Sequence, residues 1–381
     1  MQLSAQLSAG LALPLAFSSG FAATPGKPSP STSPTTEAGV RRGRVLRFPA
    51  DHGAHPTTRT EWWYATGWAG TPEQPTHGFQ VTFFRSRTGL AEGNNSRFAA
   101  RQLLFAHAAL THLTPAKGPP THRHDQRIAR WNGDPAADGA AQTDGGRVHI
   151  QRWTLHDTGT AWATRIAGSG FDLDLQLQRT QPVLLQGDAG FSRKGPEEKQ
   201  ASHYYSEPQL RVTGRLRSEG EPAGTDRPVA GGTAWMDHEW SDEILHPQAV
   251  GWDWIGMNLF DGSALTAFVL RRADGSTLWA GGSFRATGQA AAAFAADVVR
   301  FTPGRIWSSP ATGARYPVQW QVDTPAGRWT VRALLDAQEM DGNASTGTVY
   351  WEGLSELLDA QGRRVGLGYL EMTGYSGQLR L

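Results

Sequence analysis

Cysteine is absent from the 381 residues, which excludes disulfides, thiolate metal centres and a cysteine nucleophile. An excess of either charge is lacking too. The 36 Lys and Arg stand against 35 Asp and Glu, so nothing marks a partner that is a nucleic acid or an anionic membrane surface. Helical periodicity is scarce: only residues 289–299 (QAAAAFAADVV) read as helix. Beyond the N-terminal segment no apolar run is long enough for a membrane span. The nucleophile elbow of serine hydrolases is missing as well.

What is present in quantity is Gly, with 45 residues, and Trp, with 15. Gly supplies turns of positive φ, and indoles in a Gly-rich chain suit broad β surfaces or an aromatic cavity better than a helical bundle. Hydrophobic residues at 39% and charged residues at 19% are a balance that builds cores. Short β-like runs recur between Gly, Pro and Asp, at 77–87 (HGFQVTFFRSR), 102–113, 147–155, 171–178, 210–217, 251–259, 264–271, 318–322, 329–335 and 366–373. The run FDLDLQLQ alternates strictly, with Phe171, Leu173, Leu175 and Leu177 on one face. Many short strands of this kind predict an all-β chain of sandwiches or barrels.

Residues 7–23 (LSAGLALPLAFSSGFAA) are uncharged and mostly apolar, and are broken by Pro14 and Gly20. They read as the core of a signal peptide spanning 1–23, although no Lys or Arg precedes them. The Pro, Ser and Thr of 24–44 read as an extended linker. The expected product is periplasmic or secreted, with no transmembrane segment after signal removal. The length predicts two domains, at 45–217 and 229–381, parted by the polar stretch 218–228 (SEGEPAGTDRP). Residues 115–146, with His122 and His124, read as a long polar loop.

Three clusters carry candidate chemistry. In residues 48–67 (FPADHGAHPTTRTEWWYATG), His52 and His55 lack a third marked ligand, so they read as turn-capping residues and no metal centre is expected. Trp62, Tyr64, Thr66 and Trp68 then share a strand face that is either core or a ligand wall. In ASHYYSEP (201–208), Tyr204 and Tyr205 read as phenols of an edge strand. In GGTAWMDHEWSDEIL (231–245), His238-Glu239 is not a zincin helix, because Asp242 stands where the second His belongs. As a strand, it sends Trp235, Asp237 and Glu239 one way and Met236, His238 and Trp240 the other. In GWDWIGMNL (251–259), Trp252 and Trp254 share one face. Asp253 shares the other with Ile255, Met257 and Leu259, and burial there favours a protonated, proton-donating carboxyl. His238 and Asp253 are therefore the candidate catalytic residues, set against the alternative of a satisfied core His and a turn-capping Asp.

These stretches, with RIWSSPATGARYPVQW, DAQEMDG, YWEGLSEL and GYLEMTGY in order up to Tyr375, closely resemble the lipocalin-like family of carotenoid 1,2-hydratases and AttH-type proteins, a group also called predicted secreted hydrolases. The resemblance implies two tandem lipocalin-like antiparallel β-barrels with few short helices. It also implies a hydrophobic small-molecule ligand and an ABC-type transporter as partner. In the hydratase members water adds across an alkene without a redox cofactor, so no cofactor is expected. His238 and Trp240 match the hydratases' His-x-Trp pair, whereas ALTAFVLRR (264–272) lacks the Tyr and Asp those enzymes use next. Two readings follow. One is an exported protein binding an isoprenoid, polyene or lipid, with Trp240, Trp252, Trp254, Trp235, Trp62, Tyr64, Tyr204 and Tyr205 as its ligand wall. The other is a hydratase, lyase or isomerase in which Asp253 or His238 protonates an alkene and Trp faces the cation.

Overall fold

Two large antiparallel sheets, each with a core of its own, are assembled from strands of which many are buried on both faces, as at Thr233–Ser241 and Ala264–Arg271, while Phe171–Gln178 alternates strictly. The structure is a computed structural model that describes residues 39–379 apart from 91, 95, 97–98, 220–226, 230 and 244. The expected signal peptide and residues 24–38 of the linker lie outside the described residues. Among the described residues the only helix is a single 3-10 turn, Ala50–His52, and none is long and apolar enough to cross a membrane.

The first sheet has 14 strands. Its path runs through Thr121–Trp131, Gln102–His112, Pro75–Arg87, Thr60–Gly70, Thr233–Ser241, Ala201–Ser218 and Phe171–Gln178, and continues through Ala161–Gly168 to Gly139–Ala141. The two ends meet, because a Cβ on Gly139 would lie 2.5 Å from that of Ala129. A second, ten-stranded sheet includes Thr277–Arg285, Ala264–Arg271, Gly251–Leu259, Arg364–Met372 and Thr348–Leu358. The chain is thus all-β, two lipocalin-like barrels in tandem.

Several local expectations change. Thr233–Ser241 pairs along its length with Thr60–Gly70 on one side and Ala201–Ser218 on the other, so it completes the first barrel. The passage between sheets is therefore 242–250. Of the polar stretch, Arg227–Pro228 pairs with Arg215–Leu216 ahead of this strand, and residues 220–226 lie outside the described residues. The strand stays with the first barrel because Ala234 and Met236 are buried in that core. The Tyr204–Tyr205 strand is central and not an edge; Pro208 is tolerated where the register slips between Glu207 and Leu210. The alanine-rich 289–299 stretch forms no helix: Ala292–Ala293 pairs onto Thr277–Arg285, and a turn follows at 296–298. The supposed loop 115–146 holds the strand Thr121–Trp131.

Trp63, Phe79, Phe83, Trp153, Trp162 and the Leu face of Phe171–Gln178 fill the first barrel, while Ile255, Met257, Trp351 and Met372 fill the second. A third apolar cluster joins Tyr64, Trp68 and Trp235 to Trp254, Phe268, Leu270 and Tyr369. It is the seam between barrels. Each such aromatic side chain contributes on the order of 2–3 kcal/mol by burial, so the seam orders both barrels against one another.

Candidate functional site

A cavity of about 260 Å³ lies in this seam, close to the lower end of small-molecule sites (~300 Å³). Its first wall comes from strand register. Trp62 stands opposite Phe84, and Phe84 opposite Phe105, which lays three rings across neighbouring strands. Tyr64 stands opposite Asp237, and Trp62 and Tyr204 both stand opposite Glu239. The facing wall carries Trp252 and Trp254 with Phe268, Leu270, Tyr350, Glu352 and Glu371.

Asp237 sits at the centre of a network of neutral donors. Its Oδ2 accepts from the Tyr204 hydroxyl at 2.7 Å. Its Oδ1 accepts from Ser206 Oγ at 2.5 Å and from Trp235 Nε1 at 2.6 Å. Trp254 Nε1 in turn donates to the Tyr204 oxygen at 3.2 Å. Burial pushes the Asp237 carboxyl up to about 7; the three donors oppose the rise and the nearby Glu239 adds to it. The result is an acid close to half-protonated at neutral pH, bordered by indoles and a phenol whose own pKa burial raises well above 10.

Lys194 enters from outside the strands already described. Its ammonium lies 2.9 Å from Glu239 Oε1 and 3.0 Å from Ser192 Oγ, and Ser202 donates to the same Glu239 oxygen. The Tyr204 and Phe268 rings flank the ammonium at 4.6 and 4.3 Å. On the facing wall Glu352 and Glu371 stand directly opposite on neighbouring strands. Burial raises both carboxyls, Glu371 to about 7, and their mutual repulsion raises Glu352 further. His107 closes one side. It shares hydrogen bonds with the Tyr350 hydroxyl and Ser345 Oγ, each at 2.7 Å, and burial lowers it to about 4.

Of the residues singled out from sequence, the cavity brings together Trp62, Tyr64, Tyr204, Trp252 and Trp254. Trp235 stands behind them, edge-on to Trp254 with ring centroids 6.3 Å apart. His238, Trp240 and Tyr205 lie on the reverse face of the same strands. His238 Nε2 is 2.9 Å from Glu61 Oε1 and its Nδ1 is 3.1 Å from the Tyr205 hydroxyl, with its ring stacked on Trp63. Burial lowers it to about 4 despite Glu61, so it is a neutral imidazole. Trp240 stacks on His55 at 3.6 Å. Asp253 points into the second barrel, 2.8 Å from Arg271 Nε and accepting from Tyr375 at 3.0 Å; burial raises it to about 6 against the pull of Arg271. The alternation of both strands is as the sequence predicts, but the cavity takes the Asp237 face of one and the Trp face of the other.

His52 and His55 do more than cap turns. His52 Nδ1 meets the Tyr205 hydroxyl at 2.7 Å, and His55 bridges Asp51 at 3.0 Å and Glu61 at 2.8 Å. One ligand atom each from His55, Glu61 and His238 fall within 4.8 Å of one another, a spacing an ion could use. Yet Arg85 Nε sits 2.7 Å from Glu61 Oε2, and the two imidazoles direct their nitrogens at Glu61 as hydrogen-bond partners. The donor set is that of a carboxylate already neutralised.

Asp237, Glu239, Lys194, Glu352 and Glu371 escaped the residue-level reading. A usable signal existed for Glu352 and Glu371: each is a lone carboxyl between Tyr350 and Leu354, or Tyr369 and Thr373, on one strand face.

The profile of the AttH-like family matches residues 39–375. A crystal structure described as an AttH from Nitrosomonas europaea shares 45% identity, covering 89% of this chain and 99% of that one at a TM-score of 0.78. Kievitone hydratase from Nectria haematococca shares 14% identity over 89% of this chain and 96% of its own, at a TM-score of 0.63. That second likeness is one of fold. No functionally curated protein sequence matches the chain.

Proposed function

Because the chain belongs to the AttH-like family, we propose that it is an exported protein that binds a hydrophobic small molecule, an isoprenoid, polyene or lipid, in the cavity between its barrels. The observation that carries this reading is the cavity itself: rings from both barrels face one another across about 260 Å³, as in sites that hold an apolar ligand, with polar groups set between the rings to orient it. Mass spectrometry of apolar molecules that co-purify with the protein is the test. A recurring isoprenoid or lipid that is lost in Trp254→Ala supports it; a ligand retained in full by Trp252→Ala and Trp254→Ala sinks it.

One feature favours a second reading, a cofactor-independent hydratase, lyase or isomerase. Asp237 is a carboxyl tuned to about 7 in an apolar cavity, where its proton can be given to an alkene carbon. Trp252 and Trp254 would face the resulting cation. Water would then attack and return its proton to the Asp237 carboxylate, so that alkene and water become an alcohol with the acid restored. Asp237 thereby takes the part that sequence reasoning gave to His238 and Asp253, whose side chains point elsewhere. Asp237→Asn should abolish turnover of such an alkene while ligand binding survives. His238→Ala separates the two assignments, because loss of turnover with the fold intact there would restore His238.

The apolar segment 7–23 and the resemblance described above support export to the periplasm or beyond, with an ABC-type transporter as recipient or donor of the ligand. N-terminal sequencing of protein from the host's periplasmic fraction should find a terminus near Thr24; full-length protein confined to the cytoplasm would overturn this.

A further inference from the structure

The charges on the cavity wall do not balance. Five carboxyl residues line it, Glu61, Asp237, Glu239, Glu352 and Glu371, against two permanent cations, Arg85 and Lys194. Arg85 is committed to Glu61 and Lys194 to Glu239. Asp237 is served by three neutral donors. Glu352 and Glu371 remain, side by side and, among the described residues, without a cation, on the wall that also carries Trp252 and Trp254. Glu352 is 2% exposed, and its Oε1 has no hydrogen-bond partner among the described residues. Tyr64 reaches it from the opposite barrel, its phenol and the carboxyl acting on one another as hydrogen-bonding neighbours. Two carboxyls set side by side in a cavity wall, with a phenol but no cation against them, are costly unless a ligand group completes them.

The cavity already shows what such a group would be. Lys194 holds its ammonium between the rings of Tyr204 and Phe268 while a carboxylate takes its protons. Aromatic faces plus a carboxylate is the chemistry that recognises a desolvated cation. We propose that the cavity selects an organic cation, a hydrophobic body bearing an ammonium group, and that the ammonium is seated on Glu352 and Glu371 beside Tyr64 and the indoles of Trp252 and Trp254. This rests on the cavity being the ligand site, and it specifies the ligand's class.

A neutral ligand would leave the two carboxyls to share a proton, whereas an ammonium lets both ionise. Binding of the cation therefore releases protons and strengthens as pH rises. The titratable and charged groups facing the pair are Tyr64, Asp237, Glu239 and Lys194 from the first barrel and Tyr350 and Tyr369 from the second, with Asp253 acting on Glu371 from the reverse face of its strand.

The test is calorimetric titration of the full chain with geranylamine and with geraniol, which share one carbon skeleton and differ in the charged head. Geranylamine should bind roughly thirtyfold more tightly, and its affinity should increase between about pH 6 and pH 8. In Glu352→Gln and Glu371→Gln the ratio of the two affinities should collapse towards one. Equal binding of the two probes to the unaltered protein, or tighter binding of geraniol, overturns the cation reading and leaves the cavity reading standing. Binding of neither overturns both. Where a variant does not fold, the pH series on the unaltered protein decides, since an affinity for geranylamine that is flat or falls with pH overturns the proposal.

Discussion

Glu61 and Glu352 are both buried carboxyls in central strands, and their surroundings are opposites. Around Glu61 stand the Arg85 guanidinium at 2.7 Å, His55 at 2.8 Å and His238 at 2.9 Å. Burial alone would raise its pKa, but Arg85, His238 and His55 outweigh that and hold it well below the usual range. Burial also works against charge on His55, yet Asp51 and Glu61 raise it above the ordinary imidazole value. Around Glu352 there is another carboxyl, the Tyr64 phenol and a set of rings, and its pKa moves the other way. The comparison teaches where to look for work. A buried charge that its neighbours balance is spent on holding the barrel together, whereas one left unbalanced at a cavity wall is available to a ligand or a reaction.

The contrast can be broken first at the balanced end. Glu61→Gln leaves Arg85 and His55 buried without their carboxylate and should cost about 3–5 kcal/mol of stability, read by urea denaturation; a loss below about 1 kcal/mol would mean that the cluster holds nothing. Next comes the unbalanced end. Burial raises the folded-state pKa values of Asp237 and Glu371 from the ordinary carboxylate range to about 7. A raised carboxyl contributes stability that is fully present below its unfolded pKa and is lost as pH climbs through the folded one. Stability should therefore decline from about pH 4 to about pH 7 as these groups ionise. Asp237→Asn should flatten that decline in pH-dependent unfolding; an unchanged slope would show that Asp237 titrates normally.

Smaller effects sharpen which face matters. Trp254→Ala should weaken geraniol binding about tenfold, whereas Trp240→Phe, on the reverse face, should leave it in place; calorimetry giving the opposite order would move the site to the His238 side. The smallest is at the surface. Arg165 pairs with Asp174 at 2.7 Å in the open, with side chains 71% and 54% exposed, and Arg165→Ala should produce no measurable change in melting temperature.

Alternation made most of this fold legible. FDLDLQLQ is a strand along its whole length, Phe171–Gln178, and GWDWIGMNL is the strand Gly251–Leu259. The lipocalin-like pair of barrels followed from motifs spread over the chain. The site was half legible for one physical reason. Alternation assigns Asp237 and His238 to opposite faces, but both faces of that strand are buried, one in the seam and one against Glu61, and no periodicity tells two buried faces apart. His238 beside Trp240 drew attention because an imidazole among indoles is conspicuous; its partner Glu61 lies 177 residues away. Lys194 was invisible for the same reason, since its meeting with Glu239 is long-range.

The position of Thr233–Ser241 has a consequence for how the protein comes into being. The strand sits between the first strand of its barrel and the long Ala201–Ser218 strand, so neither can bury its inner edge until residue 241 has arrived. A chain emerging N-terminus first carries one unpaired edge, on the 11-residue strand Thr60–Gly70, through most of the synthesis of the first barrel, and a second, on Ala201–Ser218, from residue 218 until residue 241. Edges of that length invite pairing with other chains. A cell making this protein has reason to keep it unfolded and attended until the ninth residue of that last strand is in hand.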